Sequence, residues 1–268
     1  MKGPVVAGIQ ARMSSTRLPA KMLADLHGVP LFLRVVERVR AARHVDEVVL
    51  LTSVEASDDP LAEACEAHGV ACQRGPLADV MARYEALCDA FDPAYVARVT
   101  GDCPFVSPEF LDRQVEALRA FDGDLVRIVG GNEGLEGVLG GQTVTSQRAL
   151  RLAAGSEDPL DREHVGSFFF QRALDRLRVV GLEVDASYRR PDLRLAVDEA
   201  DDLRFVRRLL ASTGSVPGSP VALERVLASL DADPGLARLN AEVRESAANR
   251  ELRTITRSTE PSPVGVYR

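Results

Sequence analysis

The sequence is poor in the features that mark membrane, zinc-binding and nucleic-acid-binding proteins. It has no apolar stretch near the ~18 residues that a membrane span needs, and its apolar start is too short for a secretory signal. Its four cysteines form no C-x-x-C pair, and its four histidines are not spaced as zinc ligands. A net charge of −7 argues against a general nucleic-acid surface. These absences predict a cytoplasmic protein with reduced thiols and without nucleic-acid or membrane partners.

The composition is that of an ordinary globular chain with an uneven charge distribution. The 268 residues are 46% hydrophobic and 27% charged, which is enough to bury a full core. Residues 1–43 carry eight basic side chains against two acidic ones, so this section has a charge of +6 and the rest of the chain −13. A basic section in an acidic protein favours a focused anion site.

Residues 5–21 form the stretch on which the prediction depends. Residues 5–9 are a short, β-branched apolar run, which predicts a buried strand. The loop that follows holds Arg12, Arg17 and Lys21 and no carboxylate. Ligands of open α/β sheets bind beyond the carboxyl ends of the strands, and arginine and lysine suit phosphate oxygens. This loop therefore predicts a site for a polyanion such as a nucleoside triphosphate; the alternative is a solvated basic loop.

Strand and helix patterns alternate over the first 120 residues, which predicts an α/β fold with a mostly parallel sheet covered on both faces. The predicted strands there are residues 5–9, 45–51, 70–72 and 95–99, and the helices are 31–43, 59–69, 77–91 and one starting at 107. The second half is less regular, with strands at 124–129, 143–145, 177–184 and 193–197 and helices at 148–154, 161–174, from 198 and at 221–230. Half of residues 130–141 are glycine, which predicts a mobile loop and a candidate lid.

Two carboxylates follow predicted strands and are candidates for a metal site. Asp102 comes after the strand at 95–99, and Asp198 comes after the strand at 193–197. Taken alone, Asp102 could form a turn and Asp198 could cap a helix. Together, and near phosphate-binding cations, they suit Mg²⁺, which bridges one or two carboxylates to substrate phosphates.

Five segments, in this order, resemble the cytidylyltransferase family, which makes CMP-activated acidic sugars such as CMP-sialic acid and CMP-Kdo. They are VAGIQARMSSTRLPAKML, RGPLADVMARYEAL, RVTGDCPFVSPEFLD, DREHV and LAVDEADDLRFVRRLL, within residues 5–210. The resemblance is greatest to the spore-coat polysaccharide branch. It implies a Rossmann-like three-layer nucleotide-diphospho-sugar transferase fold with a mostly parallel mixed sheet. The first loop is not a P-loop, because it lacks G-x-x-x-x-G-K-[ST].

The resemblance also implies a reaction and a set of site residues. An acceptor oxygen attacks the α-phosphorus of CTP, and pyrophosphate leaves. Positioning and neutralisation of charge suffice for such chemistry. The implied triphosphate ligands are Arg12, Arg17 and Lys21. The residues implied to face the base and ribose are Gln10, Ala11, Arg74 and Thr100, and those implied to hold Mg²⁺ are Asp102 and Asp198.

Two departures from the family pattern bear on the loop and on the acceptor. Ala20 stands where the family has glycine before the loop lysine; if the backbone there needs a positive φ, alanine costs roughly 1 kcal/mol. The stretch 141–143 replaces an acidic segment, which leaves open whether the acceptor is an acidic sugar, a phosphonate or another anionic hydroxy compound. Gln142, Glu163 and His164 are the candidate acceptor ligands, although His164 could equally be a packing residue.

Two other functions compete with the cytidylyltransferase. A nucleotide-sugar-dependent glycosyltransferase would place two acids in a D-x-D-like turn, whereas 101–104 has one. A non-catalytic nucleotide-binding homologue would have less need of both metal carboxylates. We predict a single domain over residues 1–248 and a tail over 249–268. The resemblance implies a homodimer, for which 130–175 is a candidate interface.

Overall fold

The computed structural model describes residues 3–129, 138, 142–190, 192–243 and 263–267. These residues form a three-layer α/β structure around one mixed, mostly parallel sheet, which confirms the predicted fold. The strand order is β3-β2-β1-β4-β6-β5-β7-β8. The strands are β1 Val5–Gln10, β2 Glu47–Ser53, β3 Ala71–Gly75, β4 Tyr95–Thr100, β5 Leu125–Val129, β6 Gln142–Ser146, β7 Val179–Glu183 and β8 Val266–Tyr267.

Helices cover both faces of the sheet. The α-helices are α1 Leu31–Arg40, α2 Asp59–Ala67, α3 Val80–Phe91, α4 Pro108–Phe121, α5 Gln147–Ala154, α6 Pro159–Glu163, α7 Ser167–Arg172, α8 Ala200–Thr213, α9 Leu223–Ala232 and α10 Pro234–Ala237. Apolar side chains of α1, α2, α4, α8 and α9 share the larger core cluster. Those of α3, α5 and α7 form a second cluster on the opposite face. The sheet therefore has an α4 face and an α3 face.

Strand β1 lies at the centre of the parallel part and positions the loop that follows it. It pairs in parallel with β2 on one side and with β4 on the other. The carboxyl ends of β1, β2 and β4 therefore open on the same edge of the sheet, as the strand–loop pattern predicted. The antiparallel strand β6 brings Gln142 to this edge, opposite Val99 of β4.

Two predicted elements of the second half are wrong. The helix predicted over 161–174 is broken into α6 and α7, because the backbone leaves the helical region at His164. The strand predicted over 193–197 is not part of the sheet. Leu193, Leu195 and Val197 are buried, so their apolar alternation reports burial in a segment where one residue, Arg194, forms a single β-bridge and no strand is built.

The remaining predictions about chain organisation are tested only in part by the described residues. The glycine-rich loop at 130–141, the candidate lid, lies outside them apart from Val138. Of the predicted tail, the described residues include 263–267, where β8 pairs in parallel with β7 at the edge of the sheet. Among the described helices, none is long and apolar enough to cross a membrane.

Candidate functional site

The loop after β1 is anchored to neighbouring strands by backbone hydrogen bonds. The Ala11 amide donates to the carbonyl of Leu51 (3.1 Å), and the Met13 amide donates to Asp58 Oδ1 (2.7 Å). Burial raises the pKa of Asp58, but hydrogen bonds from Ser53 and Met13 outweigh it and hold the pKa below its ordinary value. Asp58 is thus a charged, buried brace that joins this loop to the end of β2.

Lys21 lies at the centre of the site, between the two predicted metal carboxylates. Its Nζ donates to Asp102 Oδ2 (2.8 Å), to Asp198 Oδ1 (3.0 Å) and to the carbonyl of Val197 (2.7 Å). The side chain is only 8% exposed. Burial lowers the pKa of Lys21, but the charges of Asp102 and Asp198 outweigh it and raise the pKa above its ordinary value. The structure thus brings together three residues that are far apart in the sequence.

Asp198 accepts from three cations and is the most strongly compensated carboxylate of the site. Besides Lys21, it binds Arg17 Nη2 (3.0 Å from Oδ2) and Arg194, which sequence analysis had not singled out. Burial raises the pKa of Asp198, but the charges of Lys21, Arg194 and Arg17 outweigh it, so the pKa lies below its ordinary value. We call Lys21, Asp102, Asp198, Arg17 and Arg194 the lysine cluster.

Asp102 is presented by a tight turn after β4. The amide of Gly101 donates to the carbonyl of Gln10 (2.9 Å), which ties the turn to the end of β1. A Cβ on Gly101 would approach Ala11 Cβ to 2.9 Å, so only glycine fits this contact. Thr100 Oγ1 lies 2.9 Å from Cys103 Sγ within the same turn. The side chain of Asp102 remains 28% exposed and is therefore open to a ligand.

Arg12 and Arg74, both predicted to bind nucleotide, differ in their contacts with the rest of the protein. Arg12 is exposed and makes no hydrogen bond or ion pair with the residues that the structure describes. Arg74 donates to the carbonyls of Ser53 (2.7 Å) and Glu55 (2.9 Å) and to Asp59 Oδ1 (2.6 Å). Arg74 therefore organises the segment after β2, and its role towards nucleotide stays a prediction.

The predicted acceptor ligands are not gathered at one point. His164 ends α6 on the α3 face, where burial, reinforced by the charges of Arg98 and Arg12, lowers its pKa. The neighbouring Glu163 is exposed. Gln142 is buried, and neither its amide nitrogen nor its amide oxygen has a hydrogen-bond partner within the described part of the chain. By strand alternation it shares the α4 face with Val144.

Sequence analysis missed Arg83 and Arg98, which lie on the α3 face near the loop. Arg98 Nε donates to Gln10 Oε1 (3.0 Å), and Arg83 Nη1 donates to the carbonyl of Leu51 (3.1 Å). The sequence feature that could have identified them is a charged residue at a position where the apolar pattern predicts burial. Arg98 interrupts the apolar strand of residues 95–99, and Arg83 falls at helical spacing from Val80.

The donor set suits a hard divalent cation that is shared with a substrate. The described residues contain no group of three or more His, Cys, Asp or Glu side chains arranged to hold a metal alone. The carboxylates of Asp102 and Asp198 already enclose one cation, the Lys21 ammonium. Two carboxylate ligands match the coordination of Mg²⁺, which takes its remaining ligands from water and phosphate oxygens.

The comparison with known structures bears on the fold. A cytidylyltransferase structure from Leptospira borgpetersenii superposes with a TM-score of 0.78, covering 87% of this chain and 96% of that one at 22% identity. At this identity the likeness establishes the fold alone.

The sequence comparisons establish the family. The chain belongs to the cytidylyltransferase family, whose model matches residues 6–204, and is thus a nucleotidyltransferase. It is 31% identical to the spore coat polysaccharide biosynthesis protein SpsF of Bacillus subtilis, over 85% of this chain and 95% of that protein. It is 33% identical to a 3-deoxy-manno-octulosonate cytidylyltransferase of Anaeromyxobacter dehalogenans, over 76% and 96% respectively. The predicted family is thereby confirmed.

Proposed function

We propose that the enzyme transfers CMP from CTP to an anionic acceptor in a Mg²⁺-dependent reaction that releases pyrophosphate. The observation that carries the proposal is the position of Lys21, held between Asp102 and Asp198 beyond the ends of β1 and β4. A cation and two carboxylates at this edge suit a triphosphate and its metal. Membership of the family and the likeness to a 3-deoxy-manno-octulosonate cytidylyltransferase support CTP as the donor.

The reaction forms one bond and breaks another at the α-phosphorus. An acceptor oxygen attacks this phosphorus, the bond to the β-phosphate oxygen breaks, and pyrophosphate carries away the negative charge. Arg12, Arg17 and Lys21 bind the triphosphate and neutralise the leaving group. Gln10, Ala11, Arg74 and Thr100 face the base and ribose. Fixed cations around the phosphates lower the barrier by electrostatic stabilisation.

Asp102 and Asp198 are the residues that would hold the metal. Both accept from Lys21 Nζ, so the protein already places a positive charge between them. Bound Mg²⁺ would supply Lewis-acid stabilisation of the phosphate oxygens. Asp102 is the more exposed of the two, so we assign it the main metal contact.

The acceptor carries an anionic group and contacts Glu163 and His164. Gln142, the third predicted ligand, is buried on the α4 face and is therefore separated from these two residues by the sheet. The two relatives support this class, since one is a spore coat polysaccharide biosynthesis protein and the other a cytidylyltransferase of 3-deoxy-manno-octulosonate. Acidic sugars, phosphonates and related hydroxy compounds all fit. We further propose polysaccharide biosynthesis as the role, a homodimer as the assembly and the cytoplasm as the location.

A nucleotide panel tests the proposal. Melting temperature is measured with CTP, UTP, GTP and ATP, each with and without Mg²⁺. Ligand at ~100 times its Kd stabilises a folded protein by roughly 2.7 kcal/mol, or a few degrees for a chain of this size. We expect a selective, Mg²⁺-dependent shift with CTP, which Arg40→Gln, an arginine remote from the loop, retains.

Pyrophosphate release with a panel of acidic sugars, phosphonates and hydroxy acids then identifies the acceptor. Stabilisation by a nucleotide-sugar and not by CTP would favour the glycosyltransferase. The absence of a response to any nucleotide would contradict the nucleotide site in residues 5–21.

A further inference from the structure

Three arginines on the α3 face lie near one another without a carboxylate partner. Among the described residues, neither Arg12, Arg83 nor Arg98 makes an ion pair. The Nε of Arg98 donates to Gln10, whose amide is neutral. Charged groups removed from water are normally paired, because an unpaired charge is costly. We call Arg12, Arg83 and Arg98 the arginine cluster.

Arg83 shows the imbalance most clearly. It is only 3% exposed, and its Nε has no hydrogen-bond partner among the residues that the structure describes. Its aliphatic stem packs against Gly75, where a Cβ would approach Arg83 Cγ to 2.7 Å. Burial is the main cause of a lowered pKa at Arg83, and the like charge of Arg12 adds to it.

The charges of the three arginines act on two neighbouring side chains, His164 and Tyr84. Burial lowers the pKa of His164, and Arg98 and Arg12 lower it further, so both arginines lie near this imidazole. Burial raises the pKa of Tyr84 to about 12 although Arg98 and Arg83 oppose the shift. The buried phenol of Tyr84, which donates to the carbonyl of Gly8 (2.9 Å), therefore stays neutral at physiological pH and supplies no compensating charge.

The carboxylates nearest to the arginine cluster are engaged elsewhere. Asp58 accepts from the amides of Met13 and Ser53. Asp79 caps α3 and accepts from Arg162 Nε (3.0 Å) and Nη2 (2.7 Å). Exposed Glu163 is the acid whose charge acts on His164. Of these three described acids, only Glu163 is without another cation or amide partner, so the three arginines keep an excess of positive charge over them.

A buried arginine with a structural role in the same molecule has a different set of hydrogen bonds. Arg38 is also buried, yet its Nε and Nη1 donate to the carbonyls of Val106 and Val221. Arg38 thus ties the helix to two loops through its Nε and Nη1 groups. Arg83 has an unused Nε, and Arg98 contacts a neutral side chain at the edge that binds substrate.

We propose that Arg98, supported by Arg12 and the field of Arg83, binds the anionic group of the acceptor, a carboxylate or a phosphate. The proposal rests on the proposed function and names the residue that selects the acceptor class. Arg98 lies two residues before the end of β4, roughly 7 Å from it at ~3.3 Å per residue. A small acceptor spans this distance, with its anion at Arg98 and its reacting oxygen near Asp102. His164 borders the same space.

Calorimetric titration of inorganic phosphate, and separately of acetate, into the full chain saturated with CTP and Mg²⁺ tests the assignment at fixed ionic strength. Filling the nucleotide site first leaves the acceptor region as the place for the probe. We expect saturable binding that Arg98→Gln weakens roughly tenfold or more, as the loss of a charge-assisted hydrogen bond requires. The CTP affinity should stay within about twofold, and Arg40→Gln should bind like the wild type. Tighter binding of phosphate or of acetate identifies the acceptor's anion.

Three results would overturn the assignment: no saturable binding to the wild type, equal binding by Arg98→Gln, or a parallel loss of CTP affinity, which would place Arg98 in the nucleotide site. Arg98→Lys keeps the charge and should bind phosphate more tightly than Arg98→Gln; equal affinities count against an electrostatic role. If the wild type does not bind CTP, the proposed function fails. The phosphate titration of nucleotide-free wild type and Arg98→Gln then tests the anion site separately.

Discussion

The cations at the carboxyl edge of the sheet form two groups that differ in how their charge is balanced. In the lysine cluster, Lys21 contacts two carboxylates, and each of these carboxylates is only partly exposed. In the arginine cluster, Arg83 and Arg98 contact a carbonyl and a neutral amide. Paired buried charges depend on one another for stability, whereas unpaired ones lower stability and remain available to a ligand. The lysine cluster therefore stabilises the structure of the site, and the arginine cluster remains available to bind a negatively charged substrate.

The largest effect is expected from Asp102→Asn, which removes the charge of the main metal contact and keeps its shape. Turnover should fall by roughly 10³-fold, the size of effect seen when a main electrostatic contact is lost. Folding should persist because Lys21 retains its contacts with Asp198 and Val197. Steady-state pyrophosphate release measures the first quantity, and melting temperature the second.

Asp201→Asn is the matched control, since the side chain of Asp201 is 44% exposed and pairs with Arg204 on α8. It should leave turnover unchanged. Asp102→Asn turning over within about threefold of the wild type would remove Asp102 from the catalytic site.

The next largest effect is expected on stability, from Lys21→Met. The substitution leaves the carboxylates of Asp102 and Asp198 without the cation between them. Breaking a buried pair in this way costs ~3–5 kcal/mol. Urea unfolding measures the loss. Adding Asp102→Asn to Lys21→Met should recover part of it, because Asp102 loses its cation whereas Asp198 keeps Arg17 and Arg194.

Arg98→Gln supplies the contrast within the same edge of the sheet. It removes a charge that lacks a carboxylate partner, so the free energy of unfolding should change by less than about 1 kcal/mol or rise. Similar losses for Lys21→Met and Arg98→Gln would erase the distinction between the two clusters.

The lysine cluster should also shape the pH dependence of stability. The pKa of Asp198 is lowered in the fold, so its contribution is present above the ordinary value of 3.8 and is lost as pH falls through the folded pKa. The pKa of Lys21 is raised, so its contribution is full below 10.5 and is lost as pH rises through the folded pKa. Between these limits the cluster should contribute a constant amount.

Urea unfolding of wild type and Asp198→Asn at a series of acidic pH values isolates the Asp198 contribution. The wild type should lose more stability than the variant as pH falls below 3.8. Parallel curves for the two proteins would mean that Asp198 is not stabilised by its three cations.

Much of the fold was predictable because hydrophobic periodicity reports burial. The alternation of strands and helices in residues 5–121 is confirmed, as is the Ser107 cap, which accepts from the amide of Phe110 (3.1 Å). The same signal misled in the second half. Leu193, Leu195 and Val197 are buried in a segment that forms none of the eight strands of the sheet, and the apolar run around Phe168 concealed the break between α6 and α7.

Within the candidate site, the sequence predicted individual residues better than it predicted their partners. Lys21, Asp102 and Asp198 were each identifiable as site residues. The hydrogen bonds of Lys21 to Asp102 and Asp198 join residues 81 and 177 positions apart and therefore depend on tertiary structure. Arg194 was hidden inside an apolar pattern. Whether a charge such as that of Arg98 has an opposite charge nearby depends on its neighbours in the fold. The sequence of one chain does not reveal those neighbours.

The smallest effect concerns Ala20, in the loop that joins the two clusters. Its φ is +58°, which confirms that this position requires the left-handed conformation. Alanine there costs roughly 1 kcal/mol relative to glycine, part of which glycine loses again through its greater freedom in the unfolded chain. Ala20→Gly should therefore raise the free energy of unfolding by about 0.5 kcal/mol.

Ala24→Gly is the matched control, because Ala24 has an ordinary φ of −61° in the same segment. This variant should be destabilised by about 0.5–1 kcal/mol, since glycine adds freedom to the unfolded chain without relieving strain. Opposite signs for the two variants in urea unfolding would show that the strain lies at Ala20. Equal destabilisation would mean that the loop holds no strain, and the charged contacts of Lys21 alone would then account for its conformation.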